Sequence, residues 1–204
     1  MNFEIENNKV YLQGVVDSLP EFNHSVREEE FFSFNLRVLR LSGQSDIIPV
    51  IISKKLLAIH NISKDNKLAL RGQFRSHNKL DGDKRKLFLA VFVKEICNWD
   101  NDANANTIEL DGYICKPSIY RTTPFAREIC DLLLAVNRNY NKSDYIPCIA
   151  WGANAQYVSG LKVSTPLKIV GRIQSRDYSK STEEGIVTRT AYEVSISKLV
   201  ENVN

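Results

Sequence analysis

Apolar residues recur at every second position through most of the chain. This period of two predicts strands rather than helices. In the first half the alternating segments are 9–16, 31–41, 46–52, 66–77 and 86–97. In the second half they are 107–115, 128–140, 144–151, 165–178 and 186–200. One short helical segment falls between the third and fourth strands of each half, Lys54–His60 and Ala153–Ser159. Turn chemistry separates the runs at Ser42-Gly43-Gln44-Ser45, Asp81-Gly82-Asp83 and Glu183-Glu184-Gly185.

The two halves are copies of one another. Asp46-Ile47-Ile48-Pro49-Val50-Ile51 matches Asp144-Tyr145-Ile146-Pro147-Cys148-Ile149 at an offset of 98, and Gly14, Val38 and Arg40 meet Gly112, Val136 and Arg138 at the same offset. Leu68-Ala69-Leu70-Arg71-Gly72-Gln73-Phe74 matches Leu167-Lys168-Ile169-Val170-Gly171-Arg172-Ile173 one residue later. Ordered matches at nearly constant offset indicate a duplicated domain. The Asn/Asp-rich stretch 98–106 has no apolar period and reads as a linker, giving domains at 1–97 and 107–204. Five strands with a helix after the third, in about 95 residues, is the order of an OB-fold barrel. The expected architecture is therefore all-β with short helices: two tandem five-stranded Greek-key OB-folds. Gly14, Gly72, Gly112 and Gly171 mark strand bends, and Pro49 and Pro147 demand a bulge or an unpaired stretch in the third strand.

Composition narrows the class. Of 204 residues 43% are hydrophobic and 25% charged, enough to bury a core. No apolar run reaches the ~18 residues of a spanning helix, and the N-terminus lacks an apolar block, so no membrane, no secretory signal and a cytoplasmic, nucleoid-associated location are expected. Cys97, Cys115, Cys130 and Cys148 form no Cys-x-x-Cys pair and have no His at zinc spacing; they read as free thiols, with no metal and no cofactor expected. The net charge is only +3, split as +1 and +2 between the halves. It permits nucleic-acid binding without arguing for it.

The argument comes from the faces of the second-half strands. Leu167, Ile169, Gly171 and Ile173 point one way; Lys168, Arg172, Gln174, Arg176 and Tyr178 point the other. Tyr145, Pro147, Ile149 and Trp151 share a face of the third strand, while Arg138 and Tyr140 close the second. Cations interleaved with rings suit an unpaired nucleic acid: the cations track phosphates and the rings offer platforms to bases. In the first half the ring positions hold Ser42, Ile47, Ser53 and Lys79, so its stacking platforms are expected to be lost. Arg71, Arg75, His77 and Lys79 keep the outward parity there, followed by Lys84-Arg85-Lys86, and can serve as secondary phosphate contacts.

Residues 106–200 resemble the bacterial single-stranded DNA-binding proteins of the SSB type. The resemblance rests on Leu134-Ala135-Val136-Asn137-Arg138-Asn139-Tyr140, on 144–152 and on 169–178. It implies base stacking on Tyr140, Tyr145, Trp151 and Tyr178, with Arg172 and Arg176 on the basic strand. It also implies a homodimer, since that family assembles four OB-folds. Many of its members end in an acidic, partner-recruiting tail. This chain stops almost directly after its last strand, so the expected partners are single-stranded DNA and replication proteins met without an acidic tail. No phosphate-binding Gly-rich loop, nucleophile–base pair or complete calcium loop occurs, so no enzymatic activity is expected. The expected function is non-catalytic binding of single-stranded DNA in replication, recombination or repair, with little sequence preference. Three alternatives remain open: a protein-interaction OB module of a primosome or mobile-element replication complex, an RNA binder, and an accessory domain of an enzyme.

Overall fold

A computed structural model describes residues 6–81, 84–182 and 185–200, with side chains described there except at 79–85 and 180–184. The elements are β1 (Asn8–Val16), β2 (Glu21–Val26), β3 (Glu29–Leu39), β4 (Ser45–Ser53), α1 (Lys54–His60), β5 (Lys67–Asp81) and β6 (Lys84–Cys97) in the first half. The second half repeats them as β7 (Asn106–Ile114), β8 (Ile119–Thr122), β9 (Glu128–Arg138), β10 (Lys142–Trp151), α2 (Ala153–Ser159), β11 (Pro166–Thr182) and β12 (Gly185–Val200). Each half thus holds one strand more than the five expected. β2 and β8 hang as short antiparallel additions on the outer edge of β3 and β9. Neither buries a face, which is why no hydrophobic period announces them.

The other five strands close a ring. β1 pairs β5, β5 pairs β6, β6 meets β4 in a two-residue parallel contact, β4 pairs β3, and β3 returns to β1. β7, β11, β12, β10 and β9 repeat the circuit. This is the OB-fold barrel, twice. The long β5 and β11 each serve two neighbours, and each changes register at a glycine. A Cβ on Gly72 would lie 2.3 Å from the Phe92 carbonyl oxygen, and one on Gly171 2.3 Å from that of Ser195. Only glycine lets the backbones approach so closely at the bend.

The awkward prolines are accommodated without a bulge. Pro49 pairs Asn35 and Pro147 pairs Leu133 in unbroken register. Asn35 turns its backbone groups away from β4: its N–H donates to Ser18 Oγ and its carbonyl accepts from Asp17 N. Pro49 therefore occupies a position where β3 needs no donor, and on its other side the β4–β6 ladder begins only at Val50.

The barrels are joined by β1 and β7, which pair antiparallel about Val10↔Ile108. Those two residues are counterparts in the duplication, so the junction has an internal pseudo-two-fold axis. Asn8 and Asn106 are also counterparts, and both are buried. Asn8 donates Nδ2 to the Phe74 carbonyl and accepts from Phe74 N; Asn106 does the same with Ile173. Each side-chain amide extends the ladder to β5 or β11 past the end of its own strand. Most of the buried apolar side chains of both halves form one continuous core cluster, with Leu12, Leu36, Leu70 and Phe74 fully buried in the first half and Leu110, Leu134, Ile146 and Ile169 in the second. The connecting segment is pinned: Gln13 exchanges side-chain hydrogen bonds with the backbone of Asp100, and its N–H donates to the Ala105 carbonyl.

Candidate nucleic-acid interface

β10 turns Ile146, Cys148 and Ala150 into the second barrel and Tyr145, Pro147, Ile149 and Trp151 outward. Tyr145 is 44% exposed. Trp151 is half-buried, and its Nε1 donates to Ser195 Oγ of β12 at 3.1 Å. Ser195 pairs Arg172 of β11, so the β10 rings run onto the outward row of β11. That row contains half-buried Arg172, then Gln174, Arg176 and Tyr178, with Tyr178 39% exposed on the extended β11–β12 hairpin. Lys168 lies half-buried on the same strand, before the register change. The alternation read from the sequence thus places Tyr145, Trp151, Arg172, Arg176 and Tyr178 on one outward surface.

An acid interrupts it. Glu193 of β12 is nearly buried there; Gln174 Nε2 donates to its Oε1 at 2.6 Å and Arg176 Nε stands 4.0 Å away. The basic row is therefore partly neutralised, a feature that strand alternation on β11 alone does not reveal.

Tyr140 and Arg138 behave differently from the expectation. Tyr140 is not a strand residue. It occupies the three-residue turn between β9 and β10, at φ +63° and 83% exposed. Arg138 turns to the same side as Val136, away from Tyr145, and its Nη1 lies 3.3 Å from Asp144 Oδ1. Both line a surface cleft between the barrels, together with Asn7 and Arg75 of the first half and Lys142 and Asp144 of the second.

The first barrel reaches this surface directly. Ser76 N donates to Asp144 Oδ1 at 2.7 Å, and Tyr145 N donates to Ser76 Oγ at 2.7 Å. Arg75 and His77 flank Ser76 on the outward parity of β5, so a guanidinium and an imidazole border the strand that carries Tyr145. Arg71 is exposed further back on β5, 3.6 Å from Glu95. The Lys79, Lys84 and Arg85 side chains lie outside the described residues.

The contact is reciprocal. Asp46, counterpart of Asp144, accepts from Ser175 N at 2.7 Å and from Ser175 Oγ at 3.1 Å, and Ser175 is the counterpart of Ser76. Each barrel thus sends a buried aspartate onto the other's β5 or β11. The two carboxylates differ in electrostatics. Burial pushes Asp46 up, but the Arg40 guanidinium and the Ser175 donors outweigh it and hold the carboxyl below its usual range. Arg40 Nε donates to its Oδ2 at 2.7 Å, and Arg172 Nη1 stands 3.8 Å away. At Asp144 burial wins over Ser76 and Arg138, and the carboxyl is pushed up. Its Oδ2 has no hydrogen-bond partner among the described residues.

None of the four cysteines is in a disulfide. Cys148 is fully enclosed in the second barrel, and burial pushes its thiol up. Among the described residues no cluster of His, Cys, Asp and Glu is arranged to hold a metal, and no helix is long and apolar enough to cross a membrane.

Residues 105–201 match the model of the single-strand binding protein family. Single-stranded DNA-binding protein 3 of Streptococcus agalactiae is 32% identical over 88 residues, 40% of this chain and 64% of that protein. Single-stranded DNA-binding protein 1 of Streptococcus pyogenes is 34% identical over 80 residues, 36% of this chain and 62% of that protein. The chain thus spans less than two thirds of the curated relatives it matches. Among solved structures, the wild-type single-stranded DNA binding protein from Thermus aquaticus superposes with a TM-score of 0.75 at 18% identity, covering 97% of this chain and 93% of that one. A deletion mutant of the same protein gives 0.73 at 19% identity, covering 97% and 95%. At such identity the likeness is one of fold, and it extends over both barrels. Residues 105–201 of this chain are thus similar to the single-strand binding protein family, and the likeness of fold takes in the first barrel as well.

Proposed function

We propose that this protein binds single-stranded DNA without covalent chemistry, by stacking bases on Tyr145, Trp151, Tyr178 and Tyr140 and by tracking phosphates with Lys168, Arg172 and Arg176. Arg138 contributes charge to the cleft around Tyr140 rather than to the face of Tyr145. The observation that supports this best is the exposure of Tyr145 and Tyr178 beside a basic strand: a ring that only filled a core would be covered. A stacked base contributes about 1–3 kcal/mol whatever its identity, so little sequence preference follows. Arg71, Arg75 and His77 extend the phosphate track onto the first barrel, with Lys79 as a further candidate. We read 1–97 and 107–204 as the two domains, joined by 98–106, and a symmetric dimer of four barrels as the working assembly.

Titration of a labelled oligo-dT at low and high salt tests the binding mode. Affinity falls steeply with salt if phosphates are tracked, and a residue of binding persists at high salt if bases are stacked. A salt-independent affinity refutes phosphate tracking, and no binding at either salt refutes the whole reading. Light scattering tests the assembly: a mass of one 23.3 kDa chain removes the dimer.

A further inference from the structure

The first barrel was expected to have lost its stacking platforms, because Ser53 stands where the second barrel has Trp151. Its outward face nevertheless carries rings. Phe31, Ile51 and Ala90 form a small buried apolar cluster separate from the core, with half-exposed Phe92 packed against it. His24 of β2 stacks on Phe31 with centroids 4.9 Å apart and planes 14° from parallel. Phe31 and Phe92 are 5.2 Å apart. The Arg75 guanidinium lies 4.3 Å from the Phe92 centroid, steered by hydrogen bonds to Gln73 Oε1 at 2.7 and 3.2 Å. Further along the same hairpin His77 stacks on Phe88 at 5.5 Å, with Lys86 Nζ 5.2 Å from that ring.

Register explains where the ring went. Ile51 of β4 pairs Phe92 of β6, and its counterpart Ile149 of β10 pairs Ser195 of β12. Phe92 therefore occupies the place of Ser195, just as Ser53 occupies the place of Trp151. Serine and aromatic have been exchanged between two adjacent strands, so each barrel keeps one ring at this point of its outward face. The neighbours differ in the same direction. Ala90 stands where the second barrel has Glu193, and the cation over the ring comes from Arg75, counterpart of Gln174. At this point the first face has a ring and a cation without the acid, and its acidic residues, Glu21 and Glu29, stand at the outer edge on β2 and β3.

We infer that the outward face of β3, β4, β5 and β6 is a second base-stacking platform, centred on Phe92 and edged by His24 and Arg75, for the same strand of DNA that the second barrel holds. The inference rests on the single-stranded DNA reading above and adds the site at which the first barrel grips. Arg75 and Lys86 supply the complementary charge, and the Ser76–Tyr145 hydrogen bond makes this surface continuous with the Tyr145 face. The ligand class is an unpaired base over a ring or over the guanidinium plane, which is sequence-tolerant.

The test uses the full chain and two oligo-dT lengths, ~10 nucleotides to occupy one barrel and ~30 to span both. With 5-iodo-deoxyuridine in the longer oligomer, ultraviolet irradiation and peptide mapping are expected to give adducts at Phe92 or His24 as well as in the second barrel. Phe92→Leu keeps apolar volume over the cluster; it is expected to weaken the longer oligomer by ~10-fold and leave the shorter one unchanged. His24→Ala, on the outer edge strand, removes a ring that covers Phe31 from outside and leaves Phe31, Ile51 and Ala90 themselves in place, and is expected to act in the same direction should the Phe92 variant fail to fold. Adducts confined to the second barrel, with both variants binding the longer oligomer like the parent, overturn the platform and leave the reading of the second barrel standing. Failure of both lengths to bind the parent chain overturns that reading together with the platform.

Discussion

Replacing Asp46 by Asn and, separately, Asp144 by Asn perturbs the same place in two copies of one fold, and the two changes are expected to differ in size. Asp46 is fully buried and accepts from Arg40 through both oxygens and from both Ser175 donors. The amide keeps an acceptor for Ser175 but turns an N–H toward the Arg40 guanidinium, which is itself mostly covered. Breaking a buried pair by removing one partner costs about 3–5 kcal/mol. The residual exposure of Arg40 lowers the expectation to ~2–4 kcal/mol. Asp144 is equally buried, but its Oδ2 is unpartnered and Arg138 contacts it only at 3.3 Å. Neutralising it removes a charge whose desolvation is poorly compensated, so the cost at neutral pH stays within about 1 kcal/mol of zero. Urea unfolding at fixed protein concentration, followed by Trp fluorescence and circular dichroism, gives both values. The pH profile separates them further. A carboxyl with a depressed folded pKa contributes stability above its unfolded value, near 4, which is lost as pH falls through the folded pKa; that is Asp46. A carboxyl with a raised folded pKa binds more protons folded than unfolded, so its penalty is relieved as pH falls through the raised value; that is Asp144. The parent chain should gain stability on acidification from neutrality before losing it below about pH 4, and Asp144→Asn should lack the gain. Equal costs for the two variants, or a gain that survives Asp144→Asn, would refute the assignment.

Three further outcomes are expected. Gly171→Ala forces a methyl onto the Ser195 carbonyl and should cost ~1–3 kcal/mol in urea unfolding, with Gly72→Ala behaving alike; a cost under ~0.5 kcal/mol would show that the bend tolerates a side chain. Asn106→Ala leaves both the Ile173 N–H and carbonyl without their partner, at ~1–3 kcal/mol, and should raise hydrogen exchange at Ile173; unchanged exchange there would count against the ladder-extending role. Trp151→Ala should weaken oligo-dT binding ~10-fold or more, to a similar degree at low and high salt, whereas Arg172→Gln should lose its effect as salt rises; the reverse pattern would mean that the ring is structural and the cation incidental.

Much of this was legible from the alternation of side chains alone. Both helices fall where the period changes, and the duplicated Asp-x-Ile-Pro segments mark β4 and β10. β2 and β8 escaped because both of their faces meet solvent, leaving no period to read. The parity of Tyr140 continues β9 and so predicts a strand residue, whereas two positive φ angles at Tyr140 and Asn141 place it in the turn. The exchange of Trp151 and Ser195 for Ser53 and Phe92 was invisible for a deeper reason. It depends on which residues of β4 and β6 lie side by side, and that register is set by a two-residue parallel contact that no constant offset along the chain encodes. The duplication pairs Asp46 with Asp144, but nothing in the match says that each is buried against the opposite copy.

The β1–β7 seam alters what evolution can do with these barrels. When identical chains meet at a two-fold axis, every substitution lands on both sides at once, and the partners must find each other by diffusion. Tethered in one polypeptide, the halves meet at a high local concentration whatever the dilution, and a change on one side leaves the other untouched. One half is thus free to carry its aromatic on a neighbouring strand while the other carries it elsewhere, an inequality that a pair of identical barrels cannot sustain.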